Sequence, residues 1–291
     1  MNASILRIQT LAHNTLLESL RQKVLLVLIL FGLVLTGASF YFTDFTFTEE
    51  FKFLKDIGSA AIDITGILVA MIGAAQMIPA EIEKRTIYTV LSKPVRRVEF
   101  LLGKYFGLLA LLTLMLAIMS VLFFGVLWIK HFIEIQEIVS QNAGNIEASE
   151  YVRKMIAEVR AQVFDDGLLQ ALLLTWMKLA LVAALAVFFS TLASSTEFIV
   201  FSTLVVYFIG HLQATARQAW IGMESGSWWE KLLLFLVSWL IPDFQSYSII
   251  DELLAGNAVT WMYVGEITLY SFFYTVVVLV LGAMVFQERE L

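Results

Sequence analysis

The chain reads as an all-α polytopic membrane protein with six transmembrane helices. Three observations predict this. Hydrophobic residues make up 59% of the 291 positions and charged residues only 15%, where soluble domains carry about 25% charge; mean hydropathy is +0.82. Apolar runs long enough for a bilayer core of about 30 Å, which takes roughly 20 helical residues, recur along the whole chain. The charges gather in islands between those runs. The densest island, Glu81 to Lys104, holds nine charged residues that no lipid-facing segment could carry.

The elements follow in order. In residues 1–23, Ile5, Ile8, Ala12, Leu16 and Leu20 fall on one helical face, with Arg7, Thr10, Asn14, Glu18 and Arg21 opposite. This pattern predicts an interfacial helix lying flat on the cytoplasmic surface and turning into the membrane near Lys23. The stretch is too long and polar for a signal-peptide n-region, so the first span is expected to be retained. The six spans are placed at Val24–Phe42, Ile57–Pro79, Tyr105–Ile129, Leu168–Ala193, Phe198–Leu212 and Tyr263–Phe286, the fifth expected to run beyond these limits. The charged loop 80–104 reads as a short helix stopped by Pro94, then a turn into the next span.

Residues 130–167 are expected to form an external helical hairpin. Val152, Ile156, Val159 and Val163 recur at helical spacing, and Gln141 to Asn145 supplies the turn. A solvated cap and a dock for a periplasmic or other external partner are both open readings of it. Region 213–262 carries Trp220, Trp228, Trp229, Trp239 and Trp261, residues that favour the headgroup level. Within it the apolar run Leu232–Ile241 is too short to cross and stops at Pro242, which predicts a re-entrant or interfacial helix. No repeat or linker divides the chain, so 1–291 reads as a single membrane domain.

An even number of spans puts both termini on one side. With the termini inside, the inner segments hold ten Lys/Arg in 57 residues and the outer ones eight in 102. The positive-inside bias therefore favours cytoplasmic termini.

Several chemistries are excluded or weakly supported. The absence of cysteine removes disulfides, thiolate metal sites and a cysteine nucleophile. His13, His131 and His211 are scattered without ligand spacing, so no metal site is expected. The pairs Met71/Met77 and Met115/Met119 read as packing rather than as thioether ligands. No hydrolase motif and no phosphate loop of the Gly-x-x-x-x-Gly-Lys-[Ser/Thr] type is present. The chain reads as a non-enzyme that binds no cofactor and no nucleic acid; ATP and Mg would have to sit on another chain.

Two intramembrane charges stand out. Lys178 lies near the middle of the fourth span and Asp63 about six residues into the second, on helices running the same way. Their depths differ by about 6 Å at 1.5 Å per residue, which a lysine stem can bridge. The pair reads either as a structural tie between helices or as a substrate or ion site. Glu266 reads as interfacial. Gly103-Lys-Tyr-Phe-Gly107 carries the small-xxx-small spacing that lets helices approach closely.

The loop Glu81-x-Glu83-x-x-Thr86, with Leu91-Ser-Lys-Pro94, Arg97 and Leu102-Gly-Lys104, resembles the first cytoplasmic loop of type-2 ABC transporter permeases. The similarity is greatest to the branch named for multicopper-enzyme maturation. Asn14 to Leu25 is similar to that branch's N-terminal helix, and Phe286 to Leu291 to its ending. The copper name does not transfer, because no ligand cluster supports it. The resemblance implies a bacterial inner-membrane exporter: a dimer with a second copy or a paralogue, served by separate ABC ATPase subunits at the cytoplasmic face. It assigns Glu81, Glu83, Lys84, Arg85 and Thr86 to a coupling helix with Pro94 at its exit, and Arg7, Glu18 and Arg21 to the interfacial helix. In two respects the chain departs from the family: Lys84-Arg85 stands where a smaller residue is usual, and the external hairpin is longer. The alternatives are an ion-coupled transporter or channel using Asp63 and Lys178, and a membrane scaffold docking partners through 130–167 and 213–262. The span lining, mostly Leu, Val, Phe and Ala, suits a lipid, a peptide or a mechanical role equally.

Overall fold

The computed structural model describes residues 2–42, 50–83, 95–142, 149–163, 167–221, 228–229 and 240–288. In chain order the helices are α1 (Asn2–Leu20), α2 (Lys23–Phe42), α3 (Glu50–Glu83), α4 (Arg97–Gln141), α5 (Ser149–Val163), α6 (Gly167–Leu192), α7 (Thr196–Ile221), α8 (Ile250–Leu254) and α9 (Trp261–Glu288). A short 3-10 turn, Gln245–Tyr247, precedes α8. Among the described residues there is no strand. Six helices, α2, α3, α4, α6, α7 and α9, are long and apolar enough to cross a bilayer. The chain is an integral membrane protein.

Two of the six lie at the centre. About 61% of the apolar window of α3 and of α6 is buried, against 22% for α2 and α7. Small residues make this centre: Ala70, Ala74 and Ala75 on α3, and Ala183, Ala184 and Ala186 on α6, are fully buried. Without a strong hydrophobic drive between helices in lipid, such residues let backbones approach and gain dispersion contacts. Gly66 makes room for Leu179 of α6, since a Cβ there would fall 2.5 Å from Leu179 Cδ1. Around this pair α2 packs on α3 and α4, α7 on α3 and α6, and α9 chiefly on α6. Interhelical hydrogen bonds fasten the layers: Tyr105 Oη donates to the Ala180 carbonyl, Ser271 Oγ to the Met177 carbonyl, and Trp176 Nε1 to Thr113 Oγ1.

Several helices run beyond the apolar spans. The second span, Ile57–Pro79, lies within α3, which continues as helix through Pro79 to Glu83. Tertiary packing overrides the proline's missing donor, as is common in membrane helices. The 34 residues of α3 extend about 51 Å, well beyond the bilayer core. The 45 residues of α4 extend about 68 Å and carry the helix past the crossing at both ends. Beyond the far end, α5 lies beside the extension of α4, and Lys130 Nζ sits 2.6 Å from Glu50 Oε2 at the start of α3. The fifth crossing, drawn short, lies in a helix that runs to Ile221. Most of the expected re-entrant run Leu232–Ile241, residues 232–239, lies outside the described residues. After it the chain returns along α7, where the Phe244 amide donates to the Gly210 carbonyl at 3.2 Å.

Candidate functional site

The charged end of the bundle is built on one stripe of α4. Glu99, Gly103 and Gly107 are spaced four apart and therefore share a face. A Cβ at Gly103 would fall 2.5 Å from Leu11 Cβ, and one at Gly107 2.5 Å from Thr15 Cβ and 2.7 Å from the Ala12 carbonyl oxygen. The glycines thus form a seat into which α1 settles by its Leu11–Thr15–Ser19 side, with Thr15 and Ser19 buried. Ile5, Leu6 and Leu17 remain exposed. Of the expected apolar face, Ile8, Ala12, Leu16 and Leu20 are half-buried beside this seat, while Ile5 is exposed.

Charges fasten this seat at both ends. Arg7 Nη1 lies 3.5 Å from Glu99 Oε2, and Glu99 also accepts the Arg96 amide at 3.1 Å. One turn deeper, Lys104 is buried with its side chain 5% exposed and faces two carboxylates, Glu81 at the end of α3 and Glu18 on α1. Its Nζ is 3.4 Å from Glu18 Oε2. Lys104 therefore joins α1, α3 and α4 at one point, and Glu81 and Lys104 close the base of the loop between α3 and α4. Arg97 adds a fourth helix, donating from Nη1 to the Phe286 and Gln287 carbonyls at 2.9 Å, the open C-terminal carbonyls of α9.

Of the residues assigned to coupling, Glu81 takes part in this junction. Glu83 ends α3, and its side chain lies outside the description. Lys84, Arg85, Thr86 and Pro94 lie outside the described residues. Arg7 and Glu18 both reach α4, whereas Arg21 follows the end of α1 and is exposed. Sequence reasoning assigned no role to Glu99 or Lys104. The signal for Glu99 was the Glu99-xxx-Gly103-xxx-Gly107 spacing, which marks the face opposite a second helix; Lys104 lies one residue off that stripe.

The other paired site lies within the bundle. Lys178 Nζ is 2.6 Å from Asp63 Oδ1 and 2.7 Å from Oδ2, so both oxygens share one ammonium. The lysine side chain is 5% exposed and the aspartate 23%. Gly66 makes this meeting possible: the close α3–α6 approach lies one turn from Asp63 and one residue from Lys178. A cavity of about 210 Å³ reaches the pair from the end away from the termini, with Asp56, Thr175, Tyr247 and Asp251 among its walls. Among the described residues no three His, Asp or Glu side chains gather as a metal site.

No protein-family model matches this chain, and no curated protein is similar to it.

Proposed function

We propose that this chain is the membrane-spanning subunit of an ATP-driven exporter of the type-2 ABC permease kind. It works as a dimer and receives force from separate ATPase subunits at its cytoplasmic face. The observation that carries the reading is the Lys104 junction. Both ends of the charged loop meet there, at Glu81 and Lys104, and Glu18 brings in α1. A push on the loop is therefore applied at once to the surface helix, to α4 and to α3, the helix that runs through the bundle centre. Such a push needs a soluble partner, because the sequence holds no phosphate loop of its own. The Lys/Arg bias supports a cytoplasmic position for the loop.

The chain lacks cysteine, which makes a direct test simple. A Tyr88→Cys variant in membrane vesicles is expected to label only from the cytoplasmic side and to be protected when the ATPase subunit is bound. Glu83→Lys is expected to leave the spans folded and to uncouple ATP hydrolysis from transport. Labelling from outside, or ATP-independent transport by the purified chain, overturns the reading.

One observation favours a second reading, an ion-coupled transporter. The Asp63–Lys178 pair opens onto a polar cavity, as an ion-coupling pair requires. Gradient-driven flux by the purified chain, abolished in Asp63→Asn, would establish it.

A further inference from the structure

A second cavity lies between α9, the irregular stretch after Leu240 and α7 at Gln213. It is a groove of about 950 Å³. Glu266, Tyr270, Phe273, Val277 and Leu281 recur along it at helical spacing on one face of α9. From Glu266 to Leu281 the groove follows about 22 Å of helix at 1.5 Å per residue. One leaflet of a 30 Å core is only about 15 Å deep, so the groove accommodates a full acyl chain and the start of a headgroup.

The two ends differ in chemistry. Phe273, Val277 and Leu281 are exposed and wholly apolar. The other end gathers Glu266, Asp243 and Gln213, and among the described residues that line the groove there is no Lys, Arg or His. Among the described residues neither carboxylate has an ion-pair partner; Asp243 accepts only the Gln245 amide and the Ser246 hydroxyl. Gln213 is 5% exposed, and its Oε1 has no hydrogen-bond partner. A buried acceptor left unmatched is costly, and two carboxylates beside it repel an anionic headgroup. The end therefore asks for a donor with positive charge.

We propose that this groove binds a membrane lipid with a protonated-amine headgroup. The ammonium sits among Glu266, Asp243 and Gln213, and one acyl chain lies along Phe273, Val277 and Leu281. The proposal stands apart from the exporter reading, because binding is measured on the isolated chain without nucleotide or ATPase.

The test uses the purified, delipidated chain in detergent, offered phosphatidylethanolamine or phosphatidylglycerol with identical acyl chains. Native mass spectrometry counts the lipid retained. Phosphatidylethanolamine is expected to be retained roughly fivefold better, the scale of one weak ion pair. Glu266→Lys is expected to remove or invert that preference. Val277→Trp, at an exposed wall position, is expected to reduce retention of both lipids without lowering the unfolding temperature. Equal retention of both headgroups by the wild-type chain overturns the proposal. So does unchanged retention in Val277→Trp, or a Phe273→Cys disulfide that traps a second copy of the chain in the groove.

Discussion

Lys178 and Lys104 are both buried lysines that join helices, yet they do so in opposite ways. Lys178 meets one carboxylate through both of its oxygens, between two helices seated on Gly66 and a run of alanines. Lys104 meets two carboxylates from different helices, and one of them, Glu18, is 51% exposed. A single partner in a close-packed crossing leaves the ion pair one geometry. Two partners at a wet rim let the lysine shift weight from one to the other while staying paired. The first arrangement suits a fixed strut and the second a joint that must move. Buried charge alone does not distinguish these roles; the number and exposure of its partners do.

The largest effect is expected at the strut. Lys178→Met leaves Asp63 as an uncompensated charge and should destabilise the protein by about 3–5 kcal/mol. The double variant Asp63→Asn/Lys178→Met removes both charges and should recover most of that loss. Thermal unfolding in detergent of the two singles and the double measures this. Additive losses in the double would break the contrast, since independent effects mean the pair is not a strut.

A smaller effect is expected at the joint, and it should be unequal. Lys104→Ala removes the Lys104 ammonium from the largely buried Glu81 and should cost about 1–3 kcal/mol. Glu18→Ala removes only the exposed partner and should stay within about 1 kcal/mol. Equal losses from these two variants would show that Lys104 has no spare partner and that the joint is as fixed as the strut.

The smallest effect concerns the far end, where α5 lies beside the extension of α4 beyond the crossing. Burial and the nearby Arg160 hold the His131 imidazole below its ordinary value of 6.5. A lowered folded value means the unfolded chain binds the proton more readily, so stability rises with pH across this range. The contribution is complete above about pH 6.5 and is lost progressively as pH falls through 6.5 toward the lower folded value. The protection of amides in 149–163 relative to their intrinsic exchange rate at each pH should fall on acidification over this window, and His131→Phe should flatten the response. A pH-independent protection in the native chain would remove His131 from the account of this end.

Much of the fold was legible because each crossing declares itself locally. Twenty apolar residues in a row have few alternatives in a bilayer, and the six runs correspond to six helices. The Asp63–Lys178 contact was also within reach, since a mid-span charge needs a counter-charge and depth arithmetic selects the candidate. The seat of α1 was less accessible. The pattern Ile5–Ile8–Ala12–Leu16–Leu20 suggested a face, of which all but Ile5 is half-buried, but the seat itself is made by side chains missing from another helix, at Gly103 and Gly107. Lys104 was the least legible, for its two partners come from positions 18 and 81, and no local pattern links three such distant stretches.

Composition and run length by themselves determine that this is a membrane protein and locate the six helices that, among the described residues, are long and apolar enough to cross a bilayer. That follows from the energy of placing each residue in hydrocarbon, a property of short segments. The partners of Lys104 and Lys178, the angle of α1 and the amine-seeking end of the α9 groove were decided only by tertiary structure. They depend on how closely two helices can approach, and that distance is set jointly by residues far apart in the chain.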